Sequence, residues 1–191
     1  MNGRGHVLVV CTGNVCRSPY LERRLRQELA GTGIEVSSAG TQGLVGRDMD
    51  PGSRELLVRA GGSPEGFAAR LLTEELVAGA DVVITAAREH RAAAARLHPA
   101  ALRRTLTLRD LADLLEGVGP EDLSPEPTDR SWVRHVVDVA TARRGLVPAR
   151  QEGVDITDPI GHGPAVFEQM AAEIDAAIVP VVAALRGGTR A

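Results

Sequence analysis

His6-Val7-Leu8-Val9-Val10-Cys11-Thr12-Gly13-Asn14-Val15-Cys16-Arg17-Ser18-Pro19 is the stretch whose reading decides the fold. It opens on a brief β-branched apolar run, the pattern of a short strand. Polar residues and a glycine follow, and beyond them Leu21, Leu25 and Leu29 recur at helical spacing, which predicts a helix over Tyr20–Leu29. The segment from Cys11 to Pro19 therefore joins a strand to a helix at the carboxyl edge of the sheet, where open α/β sheets bind ligands.

The spacing Cys-x5-Arg has a physical rationale. A loop of this length curls so that the backbone of Thr12, Gly13, Asn14, Val15, Cys16, Arg17 and Ser18 turns its N–H groups inward, an anion nest at a helix N-terminus. Arg17 closes the ring with a planar fork that grips two phosphate oxygens. The same positive surroundings favour the thiolate of Cys11, the form that attacks phosphorus. Gly13 is expected to give curvature without a Cβ clash, and Asn14 to hold an unusual backbone conformation. Ser18 is placed to donate a hydrogen bond to the thiolate, and Pro19 to take the first helical position. The plainer reading makes Cys11 an inert small hydrophobe. It is the weaker one, because the whole string stands between a strand and an amphipathic helix.

Downstream, Ile34–Ser38 alternates as a second strand, a short helix is expected between Pro51 and Gly61, and Thr73 caps a helical turn. Asp81–Thr85 is a continuous apolar run suited to a strand covered on both faces. Arg88–Leu97 reads as a helix ended by His98-Pro99, Thr105–Leu108 as a fourth strand, and Leu111, Leu114 and Leu115 as helix. This alternation argues for a parallel sheet wrapped by helices. Gly117–Pro127 and Gly145–Asp155 read as loops around a helix, Trp132–Arg144, with Val133, Val136, Val137 and Ala140 on one face. A last helix, Pro164–Arg186, carries a kink at Pro180. We expect one domain over residues 1–191.

With aromatics at only 2%, the core must be built from Leu, Val, Ile and Ala. A net charge of −3 supplies no global basic field, which argues against nucleic acid as a partner. The first apolar run is too short for a membrane span and lacks the flanks of a secretory signal, so a cytoplasmic protein without a membrane partner is expected. Cys11 and Cys16 are the only cysteines, neither a disulfide framework nor a metal set. Cys16 either packs behind the loop or pairs with Cys11 on oxidation. His6, His90, His98 and His135 are expected at the surface or at helix ends, and His162 near the pocket rim.

Cys11–Pro19 resembles the signature C-x-G-N-x-C-R-S-P of the low-molecular-weight protein tyrosine phosphatases. The likeness continues through Ser38-Ala39-Gly40-Thr41, Ala69-Arg70 and Asp158-Pro159. It implies an open three-layer α/β sandwich with a four-stranded parallel sheet in the order 2-1-3-4, no metal or other cofactor, and a phosphocysteine intermediate. It also implies that Asp158 protonates the leaving group and then deprotonates the attacking water. Cys11, Arg17 and Asp158 are thus the expected catalytic residues, with Asn14, Ser18, Ser38 and Pro159 in support. On residues alone, Asp158 equally begins a turn or caps the last helix.

Three departures from the pattern matter. Ile160, Gly161, His162 and Gly163 replace the family's aromatics, which leaves phosphotyrosine in protein, phosphoarginine and small phosphorylated metabolites open as substrates. Phe67 stands at a position where many relatives have His, which removes the usual hydrogen-bond support for Asn14. The third is an insertion relative to the family pattern at about 117–153, with its own helix, which the resemblance to bacterial relatives implies as one wall of the pocket. Among other functions, an arsenate reductase of the thioredoxin-linked kind lacks its later cysteines here, and Pro19 stands where small-thiol-linked ones carry Gln. A non-catalytic phosphate-binding module would not need both Cys11 and Asp158. A nucleotide-triphosphate loop is excluded because no Gly-Lys-Ser/Thr follows the glycine.

Overall fold

The computed structural model describes residues 4–124 and 129–187. Parallel strands β1 (His6–Cys11), β2 (Glu35–Gly40), β3 (Val82–Thr85) and β4 (Thr105–Thr107) form a sheet in the order β2-β1-β3-β4. The helices are α1 (Arg17–Glu28), α2 (Pro51–Arg59), α3 (Glu74–Gly79), α4 (Arg88–Leu97), α5 (Leu108–Leu115), α6 (Trp132–Ala142) and α7 (Pro164–Arg186), with a 3₁₀ helix at Pro99–Arg104. This is the open three-layer sandwich expected.

Because strand side chains alternate between faces, central β1 feeds two cores. Val7, Val9 and Cys11 join Leu21, Leu57, Leu111, Val133 and Met170 in one cluster, while Leu8 and Val10 join Val77, Ala94 and Ala101 in the other. From Val7 to Cys11 neither face of β1 meets water, hence its unbroken apolar run. Register then places the site: Cys11 pairs with Gly40 and Val10 with Thr85, so β1, β2 and β3 end at one edge.

Several boundaries differ from expectation. α1 begins at Arg17 rather than Tyr20, so Arg17, Ser18 and Pro19 are its first turn. Pro19 is therefore its third residue and not its first, and its absent N–H is one that a helix start leaves unpaired in any case. β2 runs to Gly40 because its pairing with β1 continues to the end of that strand. β4 stops at Thr107, whose hydroxyl accepts the Asp110 N–H and turns Leu108 into the start of α5. α7 stays helical through Pro180.

α6 ends at Ala142, two residues short of the expected Arg144, and buries Val133, Val136, Val137 and Ala140 as foreseen. The Trp132 indole N–H donates to the Leu185 carbonyl at 2.8 Å, tying α6 to the end of α7. Of the loop read at Gly117–Pro127, residues 125–127 lie outside the described residues.

Candidate active site

The loop after β1 owes its shape to the segment that follows β2. The carbonyls of Cys11, Thr12, Gly13 and Val15 accept the N–H groups of Thr41, Gln42, Leu44 and Asp50 at 2.8–3.0 Å. In a trans peptide the N–H points opposite to the C=O, so turning these carbonyls outward turns the following N–H groups into the cup. Asn14 takes the left-handed conformation that closes the curve, with φ 55°. The glycine this approach requires is Gly40, not Gly13. A Cβ on Gly40 would stand 2.4 Å from the Thr12 carbonyl oxygen, whereas one on Gly13 meets nothing nearer than 3.5 Å. Gly13 keeps its place in the loop, but its expected steric role belongs to Gly40.

Asn14 is fully buried and fixes the polarity of the site. Its Oδ1 accepts the Arg70 backbone N–H at 2.9 Å, so its amide must donate, to Ser18 Oγ at 2.9 Å and to Ser38 Oγ at 2.8 Å. Ser38 in turn donates to Glu22 Oε2 at 2.5 Å. Ser18 Oγ accepts one Asn14 N–H and lies 2.9 Å from Cys11 Sγ, where a thiolate, having no proton of its own, would take the hydroxyl proton. The loss of support for Asn14 expected from Phe67 does not occur: Arg70, Ser18 and Ser38 occupy its amide, and Phe67 instead lies beneath the Arg23 guanidinium.

Arg17 is buried and turns its guanidinium to the mouth of the cup. Nη2 donates to Asp158 Oδ2 at 2.5 Å and to Thr12 Oγ1 at 3.4 Å, and Nη1 to the Ile156 carbonyl at 3.4 Å. Asp158 is exposed and also accepts the Ile160 N–H at 3.2 Å, so the turn-forming role read from residues alone is present beside the pairing with Arg17. Buried Pro159 fixes the same turn, its carbonyl accepting the His162 N–H. Cys16 is a free thiol like Cys11 and packs behind the loop, where burial, and then Asp50 and Cys11, push its pKa up to about 12.

Residues that the sequence reading passed over complete the site. Thr157 donates through its N–H and hydroxyl to Glu173 at 2.8 and 2.9 Å, Arg109 pairs with that carboxylate at 3.1 Å, and the Ile156 N–H meets the Ala86 carbonyl at 2.8 Å. These contacts bolt the segment before Asp158 to α7, α5 and the end of β3. His90 is not a surface residue: it is 1% exposed, with Nε2 2.8 Å from Thr12 Oγ1. The available signal was its position in the first turn after β3, at the same sheet edge as the loop. His6, His98 and His135 are partly buried, and His162 is exposed.

Beside the cup runs a groove of about 550 Å³ lined by Val15, Leu44, Met49 and Ile160 with Arg47, Asp48, Asp50 and Arg54. Its described lining includes no residue from 117–153. Among the described residues no cluster of three or more His, Cys, Asp or Glu is placed to hold a metal ion, and no helix is long and apolar enough to cross a membrane.

Comparison with known proteins agrees with this geometry. Over 100 residues the chain is 40% identical to the low molecular weight protein-tyrosine-phosphatase Etp of Escherichia coli, covering 52% of this chain and 66% of Etp. It is 36% identical over 85 residues to Wzb of the same species, covering 44% of this chain and 56% of Wzb. The matches thus span less than two-thirds of these relatives. Among solved structures, Vibrio vulnificus Wzb in complex with benzylphosphonate superposes with a TM-score of 0.67 at 22% identity, over 93% of this chain and 97% of that one. The YwlE arginine phosphatase from Geobacillus stearothermophilus gives 0.68 at 22% identity, over 93% and 90%. These two likenesses show the fold. The family model for low molecular weight phosphotyrosine protein phosphatase matches residues 6–143, a span that holds the whole cup and stops short of Asp158. The chain belongs to the low molecular weight phosphotyrosine protein phosphatase family.

Proposed function

We propose that this chain hydrolyses a phosphomonoester, phosphotyrosine in protein, in two steps on Cys11. The Cys11 thiolate attacks phosphorus, the S–P bond forms as the P–O bond to the leaving group breaks, and Asp158 gives its proton to the departing oxygen. Water then attacks the phosphocysteine, Asp158 takes a proton from it, and the S–P bond breaks to return thiolate and release phosphate. Arg17 and the inward N–H groups hold the phosphoryl oxygens throughout. The substrate's anion replaces the Asp158 carboxylate on Arg17 Nη2, and the freed carboxylate takes up a proton from solvent that it then gives to the leaving oxygen.

The observation that carries this reading is the directed hydrogen-bond chain ending on the sulfur. Asn14 donates to Ser18 Oγ and Ser18 stands 2.9 Å from the sulfur, so the Ser18 hydroxyl proton is available to a thiolate nucleophile. For the substrate, the groove supports a ring rather than a guanidinium. Its apolar members Val15, Leu44 and Ile160 suit a flat ring, while its carboxylates already have partners, Asp48 with Arg54 at 2.8 Å and Asp50 with the Gly52 N–H at 2.9 Å.

Cys11→Ser should abolish turnover while inorganic phosphate still binds. Phosphotyrosine peptides, phosphoarginine and small phosphorylated metabolites assayed on one preparation test the substrate, and a higher kcat/KM for phosphoarginine would overturn that choice.

A further inference from the structure

His90 is a buried group at the cup for which the reaction above has no task. It lies in the first turn of α4, 1% exposed, with Nε2 2.8 Å from Thr12 Oγ1. Its Nδ1 is buried with no hydrogen-bond partner. A buried orphan N–H is rarer than an under-used acceptor, so the ring proton belongs on Nε2 and Nδ1 keeps a bare lone pair. Burial and then the Arg17 guanidinium hold the imidazole below its ordinary pKa, against the opposing pull of Glu89, Asp158 and Asp155, which keeps it in this one-proton form.

Thr12 Oγ1 then receives two donors, His90 Nε2–H and Arg17 Nη2–H, the latter at 3.4 Å. A hydroxyl has two lone pairs and one proton. With both lone pairs engaged, only the proton is left to act, and Arg17 Nη2 lies between this hydroxyl and Asp158 Oδ2. We propose that His90 is a positioning residue that makes Thr12 an obligate donor, its hydroxyl proton directed to an oxygen of the bound phosphoryl group. The inference rests on reading the cup as a phosphoryl site.

The test is calorimetric titration of inorganic phosphate into the wild type, His90→Gln, His90→Ala, Thr12→Val and the double variant His90→Ala/Thr12→Val. Losing a hydrogen bond to a charged ligand should weaken phosphate about tenfold in Thr12→Val and in His90→Ala. His90→Gln, whose amide N–H reaches the same place, should stay within about threefold of the wild type. The double variant should bind no worse than Thr12→Val alone, because His90 acts through Thr12. The proposal is overturned if the two losses multiply, if His90→Gln is as weak as His90→Ala, or if Thr12→Val binds like the wild type. That last outcome decides even where His90→Ala does not fold. Phosphate binding without turnover of any phosphomonoester overturns the proposed hydrolysis and leaves the role of His90 standing; a wild type that binds no phosphate overturns both.

Discussion

Ser18 Oγ lies 2.9 Å from Cys11 Sγ and accepts the amide of Asn14, which leaves its proton available to a thiolate at Cys11. Hydrogen bonds to a charged group are worth about 1.5–3 kcal/mol, so Ser18→Ala should lower kcat by roughly ten- to a hundredfold, with KM little changed. Steady-state kinetics on p-nitrophenyl phosphate decide it. A kcat within about twofold of the wild type would contradict the directed chain.

Gly40 is where the backbone of β2 meets the cup. A methyl group there would stand 2.4 Å from the Thr12 carbonyl oxygen and 2.9 Å from the Asn14 nitrogen, and backbone cannot step aside as a side-chain tip can. Gly40→Ala should cost about 1–3 kcal/mol or more in urea denaturation and reduce activity beyond what the lost stability explains. Gly79→Ala, in open space at the end of α3, is the comparison and should be neutral or stabilising by about 0.5–1 kcal/mol.

Glu173 holds the segment that presents Asp158. Burial opposes its charge, but the Thr157 N–H, the Gln169 amide, the Thr157 hydroxyl and Arg109 outweigh it and keep its pKa below the ordinary 4.5. A carboxylate depressed by folding contributes stability that is fully present above 4.5 and is lost as pH falls through the lower folded value. Glu173→Gln should therefore be about 1 kcal/mol less stable than the wild type at neutral pH, with the gap closing under acid conditions. Denaturation curves across that range check the sign: a gap that widens toward acid would contradict it.

Asp158 is exposed and needed by no core contact, so replacing it separates chemistry from folding. Asp158→Asn should slow phenyl phosphate hydrolysis by about 10²–10⁴-fold and p-nitrophenyl phosphate much less, because a good leaving group departs without a proton. The same variant should bind inorganic phosphate more tightly, since the carboxylate paired with Arg17 at 2.5 Å is gone. Equal rate losses for both esters would remove Asp158 from the acid role.

How much of this could be read beforehand depended on distance along the chain. The cup was legible because Cys11, Arg17 and Ser18 lie within one turn-and-helix string, Cys11–Ser18. The sheet was legible because the two-sided burial of β1 and β3 leaves unbroken apolar runs. The start of α1 was misplaced because Arg17, Ser18 and Pro19 carry no apolar period, although they form its first turn. Gly13 received the steric role that Gly40 has, because only strand register brings Gly40 against the loop. His90 and Glu173 were invisible for the same reason: one reaches the cup from the helix after β3, the other braces the segment before Asp158 from α7, and nothing local in either helix marks it.

The central claim is that sulfur of Cys11 becomes bonded to phosphorus. Rapid acid quench of turnover with a radiolabelled phosphotyrosine peptide, followed by mapping of the label, tests it most directly. The account predicts label on the peptide containing Cys11 and none in Cys11→Ser. Phosphate released with no label on Cys11, or label retained in Cys11→Ser at another residue, would contradict it.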